Sequence, residues 1–286
     1  IDTTTREITW TLTSIDPATG DVPVDSSLGF LLPNDETGRG DGFVSYTVKP
    51  LRNVATGTVI DAQARIVFDD ANLVQAVNDL SALKFGNCGQ VCVSPNRIFV
   101  HENVYDEFVE RFVSKAKKLE IGFGNDAKID MGPIVDERSR NRVMKLAEKT
   151  LAEGAKLECG GKIPTDKPDG YFFEPTVFTN VNRSMTIFRE EIFGPLAAIY
   201  KFKTEDEVLD MANDCEVGLS SYLYTKDMAR INKFTAELEV GEVHVNGFKY
   251  SIYLPHGGVK ESGLGHDCSH LALNDYLEIK RITQRI

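Results

Sequence analysis

Residues 66 to 286 are predicted to form an α/β domain, an open sheet with flanking helices, preceded by a small antiparallel β segment. Three observations predict it. Helix-like and strand-like patterns alternate along this stretch, as they do when helices cover the faces of a sheet. The strand candidates Arg97 to Val100, Leu196 to Phe202, Ser221 to Tyr224 and Glu242 to Val245 are short and rich in β-branched or aromatic residues, the types that fit a pleated surface. A chain of 286 residues with 42% apolar and 26% charged content also has the material for a full core.

The elements follow in chain order. Before residue 65, Glu7 to Thr13, Gly42 to Val48 and Thr58 to Phe68 alternate apolar and polar residues or are β-branched. Turn-rich stretches such as Asp16 to Gly20 and Pro33 to Gly38 separate them, which reads as an antiparallel β unit. Ser14-Ile-Asp-Pro-Ala-Thr-Gly20 and Ala62-Gln-Ala-Arg-Ile-Val-Phe-Asp69 resemble the end of a β-sandwich module of large secreted bacterial repeat proteins. Asp69 to Leu83 is predicted helical with an acidic start. Val104 to Leu119 reads as an amphipathic helix, because Tyr105, Phe108, Val109, Phe112 and Ala116 fall on one face. Helices are also predicted over Asp136 to Ala152, ended by Gly154, and over Glu205 to Asn213. The tail from Tyr276 to Ile286 is β-prone and charged, the kind of edge that pairs with another chain.

Charge narrows the partners. The formal net charge is −11 and no basic cluster exceeds a pair, which disfavours nucleic acid and anionic membrane surfaces. No apolar run approaches the roughly 20 residues of a spanning helix. The five cysteines, Cys88, Cys92, Cys159, Cys215 and Cys268, are odd in number and scattered, which fits neither a disulfide scaffold nor a metal site. Reduced thiols in a cytoplasmic setting are the expectation.

The strongest chemical signal is Phe85-Gly-Asn-Cys-Gly-Gln-Val-Cys-Val-Ser-Pro-Asn-Arg97. A cysteine beside exposed backbone N–H groups at a helix start is a better thiolate nucleophile. This segment resembles the active-site loop of aldehyde dehydrogenases, most of all the succinate-semialdehyde type, with Cys92 in the nucleophile's place. Cys88 is read as core packing, or as a partner that could join Cys92 on oxidation. The resemblance continues through Glu190-Glu-Ile-Phe-Gly-Pro195, Asn213 to Leu219, Val245-Asn-Gly247, Leu254-Pro-His-Gly-Gly-Val-Lys-Glu-Ser-Gly-Leu-Gly265 and Tyr276-Leu-Glu-Ile-Lys280. It implies that Glu191 holds a nicotinamide ribose, that Phe193 lies near the nicotinamide, and that the terminal strand pairs subunits into a homo-oligomer. It places the substrate pocket around Asn87, Gln90, Asn246, Tyr253 and His256, where His256 replaces a frequent aromatic.

The same resemblance leads one to expect, before Ile66, a Gly-rich turn opening a helix and then a Glu-Leu-Gly-Gly segment. The glutamate's place falls on Thr58 and the glycines' on Ile60 and Asp61, so the cofactor-binding half is expected to be lacking. Gly38-Arg-Gly-Asp-Gly42 precedes a strand rather than a helix, a poor phosphate cradle. Three readings follow. The first is a thiol-dependent ester hydrolase that uses Cys92 without a cofactor, the base being Glu191 or His256. The second is an NAD- or NADP-dependent aldehyde dehydrogenase, and the third is a non-catalytic oligomerising module. A small ester or aldehyde is the expected substrate.

Overall fold

The computed structural model describes residues 64–68 and 73–284. The predicted β unit before Ala64, its resemblance to a repeat module, and the first residues of the Asp69 helix lie outside them.

A seven-stranded sheet organises the rest. Its strands are β1 (Ala64–Val67), β2 (Arg97–His101), β3 (Lys156–Cys159), β4 (Thr176–Thr179), β5 (Leu196–Phe202), β7 (Ser220–Tyr224) and β8 (Glu242–Val245). They lie in the order β3-β4-β5-β2-β1-β7-β8. Only β3 runs antiparallel to its neighbour; the remaining pairs are parallel, with Ile66 opposite both Phe99 and Leu223. Parallel strands buried on both faces need continuous apolar runs, and β4, β5 and β7 are buried almost throughout. β6 (Val217–Gly218) and β9 (Val259–Lys260) form a separate two-stranded antiparallel pair.

Helices α1 (Leu73–Phe85), α2 (Glu102–Ala116), α3 (Glu137–Ala152), α4 (Thr186–Arg189), α5 (Glu205–Asn213) and α6 (Met228–Glu237) connect the strands. α2 begins two residues before its predicted start because His101 accepts a hydrogen bond from Asn103 N–H at 3.3 Å, satisfying an orphan donor. Asp136 caps α3 by accepting from Ser139 N–H at 2.7 Å, and Thr204 with Glu207 forms a capping box on α5. α2 buries Val104, Tyr105, Phe108, Phe112 and Ala116, and the Phe108 and Phe112 rings stack at 5.6 Å. Each such ring removed from water contributes about 2–3 kcal/mol.

The tail was expected to pair with another chain, and within this chain it joins no strand among the described residues. A 3-10 turn spans His270–Tyr276, and residues 277–284 form no strand and are exposed. A strand exists only through its ladder, and among the described residues no sheet edge of this chain receives the tail. No helix among the described residues is long and apolar enough to cross a membrane.

Candidate active site

The leading ends of β5, β2, β1, β7 and β8 share one edge of the sheet, since these neighbours are parallel. Cys92 precedes β2, the Glu191 loop precedes β5, and Glu242 opens β8. Cys92, Glu191 and Glu242 therefore gather at the amino edge, opposite the carboxyl edge where open α/β sheets usually bind ligands, whereas Asn246 follows β8 at the carboxyl edge.

The Cys92 turn is built on strain that its neighbours hold in place. After α1, a 3-10 turn over Gly86–Gly89 carries three successive left-handed residues, Asn87 (φ +49°), Cys88 (φ +58°) and Gly89 (φ +69°). Non-glycine residues there cost roughly 1–2 kcal/mol each. The Asn87 amide donates to Gln90 O at 3.0 Å, and the Gln90 amide donates to Asn87 O at 3.1 Å while its oxygen accepts from Val135 N–H at 2.9 Å. Gly89 packs so tightly on the Glu191 loop that an added Cβ would lie 2.3 Å from Gly194 O. From beneath, Lys84 Nζ donates to Pro95 O at 2.9 Å.

Lys84 is wholly buried, and burial, then the Arg65 charge, lower its pKa to about 7 against the opposing pull of Cys88 and Glu191. The two thiols part company. Cys88 is fully buried, and burial pushes its thiol up to about 12 although Lys84 pulls the other way, so it stays a protonated packing group. Cys92 is exposed. It sits on a turn closed by Ser94 N–H to Val91 O at 2.9 Å. The chain passes from this turn straight to β2, so no helix begins at the thiol.

The Glu191 loop is fastened to the same turn. Asn96 Oδ1 accepts from Ile192 N–H at 3.1 Å. Arg142 donates to the carbonyls of Glu191 and Ile192 at 3.0 and 2.6 Å. Glu191 is half-buried, and Phe193, at φ +41°, is 39% exposed.

Cys92 opens into a cavity of about 660 Å³. Leu83, Tyr222, Phe248 and Leu254 give it apolar and aromatic walls, and Glu242, His244 and His256 are its polar residues nearest one another. Glu242 accepts from His244 Nε2 at 3.1 Å and pairs through its other oxygen with His256 Nδ1. Burial pushes the Glu242 carboxyl up, but the two imidazole hydrogen bonds and their charges outweigh it and hold it below the usual carboxylate range. Among the described residues no three His, Cys, Asp or Glu side chains are arranged to hold a metal ion.

Of the residues singled out from sequence, Cys92 and His256 share this cavity, and Glu191 and Phe193 stand on the loop packed against the Cys92 turn. Asn87 and Gln90 fasten the turn instead of lining the cavity. Asn246 bonds both backbone groups of Thr225, at 2.8 and 3.0 Å, and Tyr253 lies outside the lining, 65% exposed. Sequence reasoning missed Glu242 and His244. The signal was present: two polar residues spaced two apart in a β-prone segment share one face.

Residues 62–282 match the aldehyde dehydrogenase family. The chain is 41% identical over 219 residues to a succinate-semialdehyde dehydrogenase (NADP(+)) of Schizosaccharomyces pombe, covering 76% of this chain and 44% of that one. It is 45% identical over 221 residues to an aldehyde dehydrogenase of Enchytraeus buchholzi, covering 77% and 44%. Among solved structures, succinate-semialdehyde dehydrogenase from Burkholderia pseudomallei superposes with a TM-score of 0.73 at 41% identity, over 76% of this chain and 45% of the other. The chain thus spans less than half the length of the relatives it matches. With the family match covering most of its length and the same α/β sheet in the solved relatives, this chain belongs to the aldehyde dehydrogenase family.

Proposed function

We propose that this chain carries the thiol-bearing catalytic part of an NAD- or NADP-dependent aldehyde dehydrogenase, in which Cys92 attacks an aldehyde bound in the cavity. One observation carries the reading: the one thiol lining this cavity among the described residues is exposed on a turn whose backbone packs directly on the Glu191 to Pro195 loop. The Cys92 sulfur forms a bond to the carbonyl carbon as the carbonyl electron pair moves to oxygen. The relatives' names support this reading better than the cofactor-free ester hydrolase that the sequence first suggested, since those named above are dehydrogenases.

The residues fit the nicotinamide end of such a cofactor. The half-buried Glu191 carboxylate can accept from a pair of ribose hydroxyls, and the exposed Phe193 ring offers a flat apolar face. When bound, the nicotinamide supplies hydride acceptance. The chain's own part is to hold the aldehyde carbon beside Cys92 between apolar walls and to keep Glu191 and Phe193 in register with that thiol through the Gly89 and Gly194 contact.

The test is formation of reduced cofactor from a panel of aldehydes with NAD or NADP, for the unmodified protein, Cys92→Ala and Cys88→Ala. The unmodified protein should give reduced cofactor, Cys92→Ala should lose at least about 10³-fold, and Cys88→Ala should keep most of the rate. Retained rate in Cys92→Ala would reject the nucleophile. Release of p-nitrophenol from its acetate with no reduced cofactor from any aldehyde would return the ester hydrolase to first place.

A further inference from the structure

We propose that His256, oriented by Glu242, is the proton acceptor for Cys92, so that a thiol, an imidazole and a carboxylate from three separate segments act together in one cavity. This rests on Cys92 being the nucleophile.

The argument starts at β8. Glu242 and His244 are two residues apart and share a strand face, and the 251–258 loop brings His256 against the same carboxylate. The three side chains are only 16–21% exposed. A carboxylate that is held ionised only accepts hydrogen bonds. Its contact with His256 Nδ1 therefore places the ring proton on Nδ1 and the lone pair on Nε2, and His256 Nε2 makes no hydrogen bond among the described residues. A base that carries a bonded carboxylate on its far nitrogen is the arrangement in which an imidazole can take a proton and be stabilised as imidazolium.

The ring is held in place independently. His256 and Asp267 exchange backbone hydrogen bonds at 2.9 and 2.8 Å, and Tyr250 meets the ring edge-on at 6.0 Å. The Cys92 side is tied to the same group. Arg65 donates to the carbonyl of Val93, next to Cys92, and lies over the Tyr222 ring, which stacks on His244 at 4.8 Å. The titratable groups around His256 are thus Glu242 and His244 on β8, Tyr222 on β7, Lys249, Tyr250 and Asp267 on the flanking loops, and Cys92 across the cavity. His266 packs beside Gly257, and the Tyr250 hydroxyl contacts Cys268 Sγ at 3.3 Å.

The chemistry balances on an ester without an oxidant. The Cys92 proton passes to His256 Nε2, the sulfur bonds the carbonyl carbon, and the carbonyl pair moves to oxygen. As that pair returns, the bond to the alcohol oxygen breaks and the alcohol takes the proton from Nε2. Water then attacks the thioester, yields a proton to Nε2, and the C–S bond breaks with the sulfur recovering that proton. With an aldehyde, the attack on the carbonyl draws on the same proton transfer.

The experiment is the burst-phase acylation rate with p-nitrophenyl acetate, followed between about pH 5 and pH 10, for the unmodified protein, Cys92→Ala, His256→Gln and Glu242→Gln. The rate of the unmodified protein should rise with the deprotonation of an imidazole. His256→Gln should lose about 10²-fold at neutral pH and recover only as the thiol ionises unaided near pH 8.5, which moves the midpoint up. Glu242→Gln removes the charge that stabilises the imidazolium, so its midpoint should move down by about one unit, with a lower plateau. Opposite shifts are not a folding defect, and Glu242→Gln still decides the matter should His256→Gln fail to fold. A profile unchanged in His256→Gln or in Glu242→Gln, with Cys92→Ala inactive, overturns the proposal and leaves the nucleophile standing. Activity retained in Cys92→Ala rejects the nucleophile itself.

Discussion

The two walls of the cavity are built differently. The turn that carries Cys92 is locked by three buried contacts, Gly89 against Gly194, Lys84 on Pro95 O and Asn96 on Ile192 N–H, and by the exposed hydrogen bond of Gln90 to Val135. The facing wall, from Phe248 to Asp267, keeps Phe248, Tyr250, Ile252 and Leu254 exposed. It is held by the backbone pair of His256 and Asp267, the two-residue β6 and β9 ladder, and the Glu242 to His256 contact. The position of Cys92 is therefore a property of the core, while the opposite wall depends on a few polar ties. Substitutions on the first wall should cost stability and rate together, and substitutions of the exposed apolar residues on the second should change substrate preference alone.

The sharpest way to break this contrast is Gly89→Ala. Its Cβ would lie 2.3 Å from Gly194 O at a φ of +69°, and neither backbone can yield cheaply. A loss of about 2–4 kcal/mol is expected from strain and overpacking, with a large fall in Cys92 reactivity, read by denaturant unfolding and iodoacetamide labelling. Wild-type stability in this variant would show that the turn is not fastened to the Glu191 loop.

Lys84 tests the same wall through pH. Its folded pKa, about 7, lies below the ordinary value near 10.4. Between these values the unfolded chain binds a proton that the native state does not, so this group makes stability rise with pH across that window. Lys84→Met removes the dependence. The stability of the unmodified protein relative to this variant should climb by a few kcal/mol from about pH 7 to pH 10, measured by denaturant titrations at each pH. A flat difference would mean that Lys84 stays charged in the folded protein.

The smallest effect is expected on the other wall. Phe248 lines the cavity but is 48% exposed. Phe248→Ser should change stability by no more than about 0.5 kcal/mol and raise KM for apolar aldehydes roughly threefold to tenfold, with kcat held. A marked drop in melting temperature would erase the distinction between the walls.

Much of the frame was legible without coordinates. The α2 face, the α3 and α5 boundaries with their acidic or capping starts, and strands β2, β5, β7 and β8 follow from periodicity and end chemistry, which act over a few residues. The reading of Cys88 as core packing was legible as well, and its burial agrees with it. The 3-10 turn with its left-handed residues was not legible, because Asn87 and Cys88 adopt that backbone only under contacts made by Gly194 and Val135. The tail's β-prone residues state a preference, and a ladder needs a second strand, which this chain alone does not supply among its described residues.

By itself the sequence determined several of the helices and strands, that Cys92 on the loop before β2 is the candidate nucleophile, and that Glu191 and His256 are worth examining. Only the tertiary structure decided that these residues meet at the amino edge of the sheet. It also decided that Asn87, Gln90 and Asn246 spend their amides on fastening loops, and that Glu242 and His244 join His256. The physical reason is range. Propensity, capping and periodicity are settled between neighbours a turn apart, whereas the order β5-β2-β1-β7-β8 sets which loops share an edge, and that order follows from burying all the apolar faces at once.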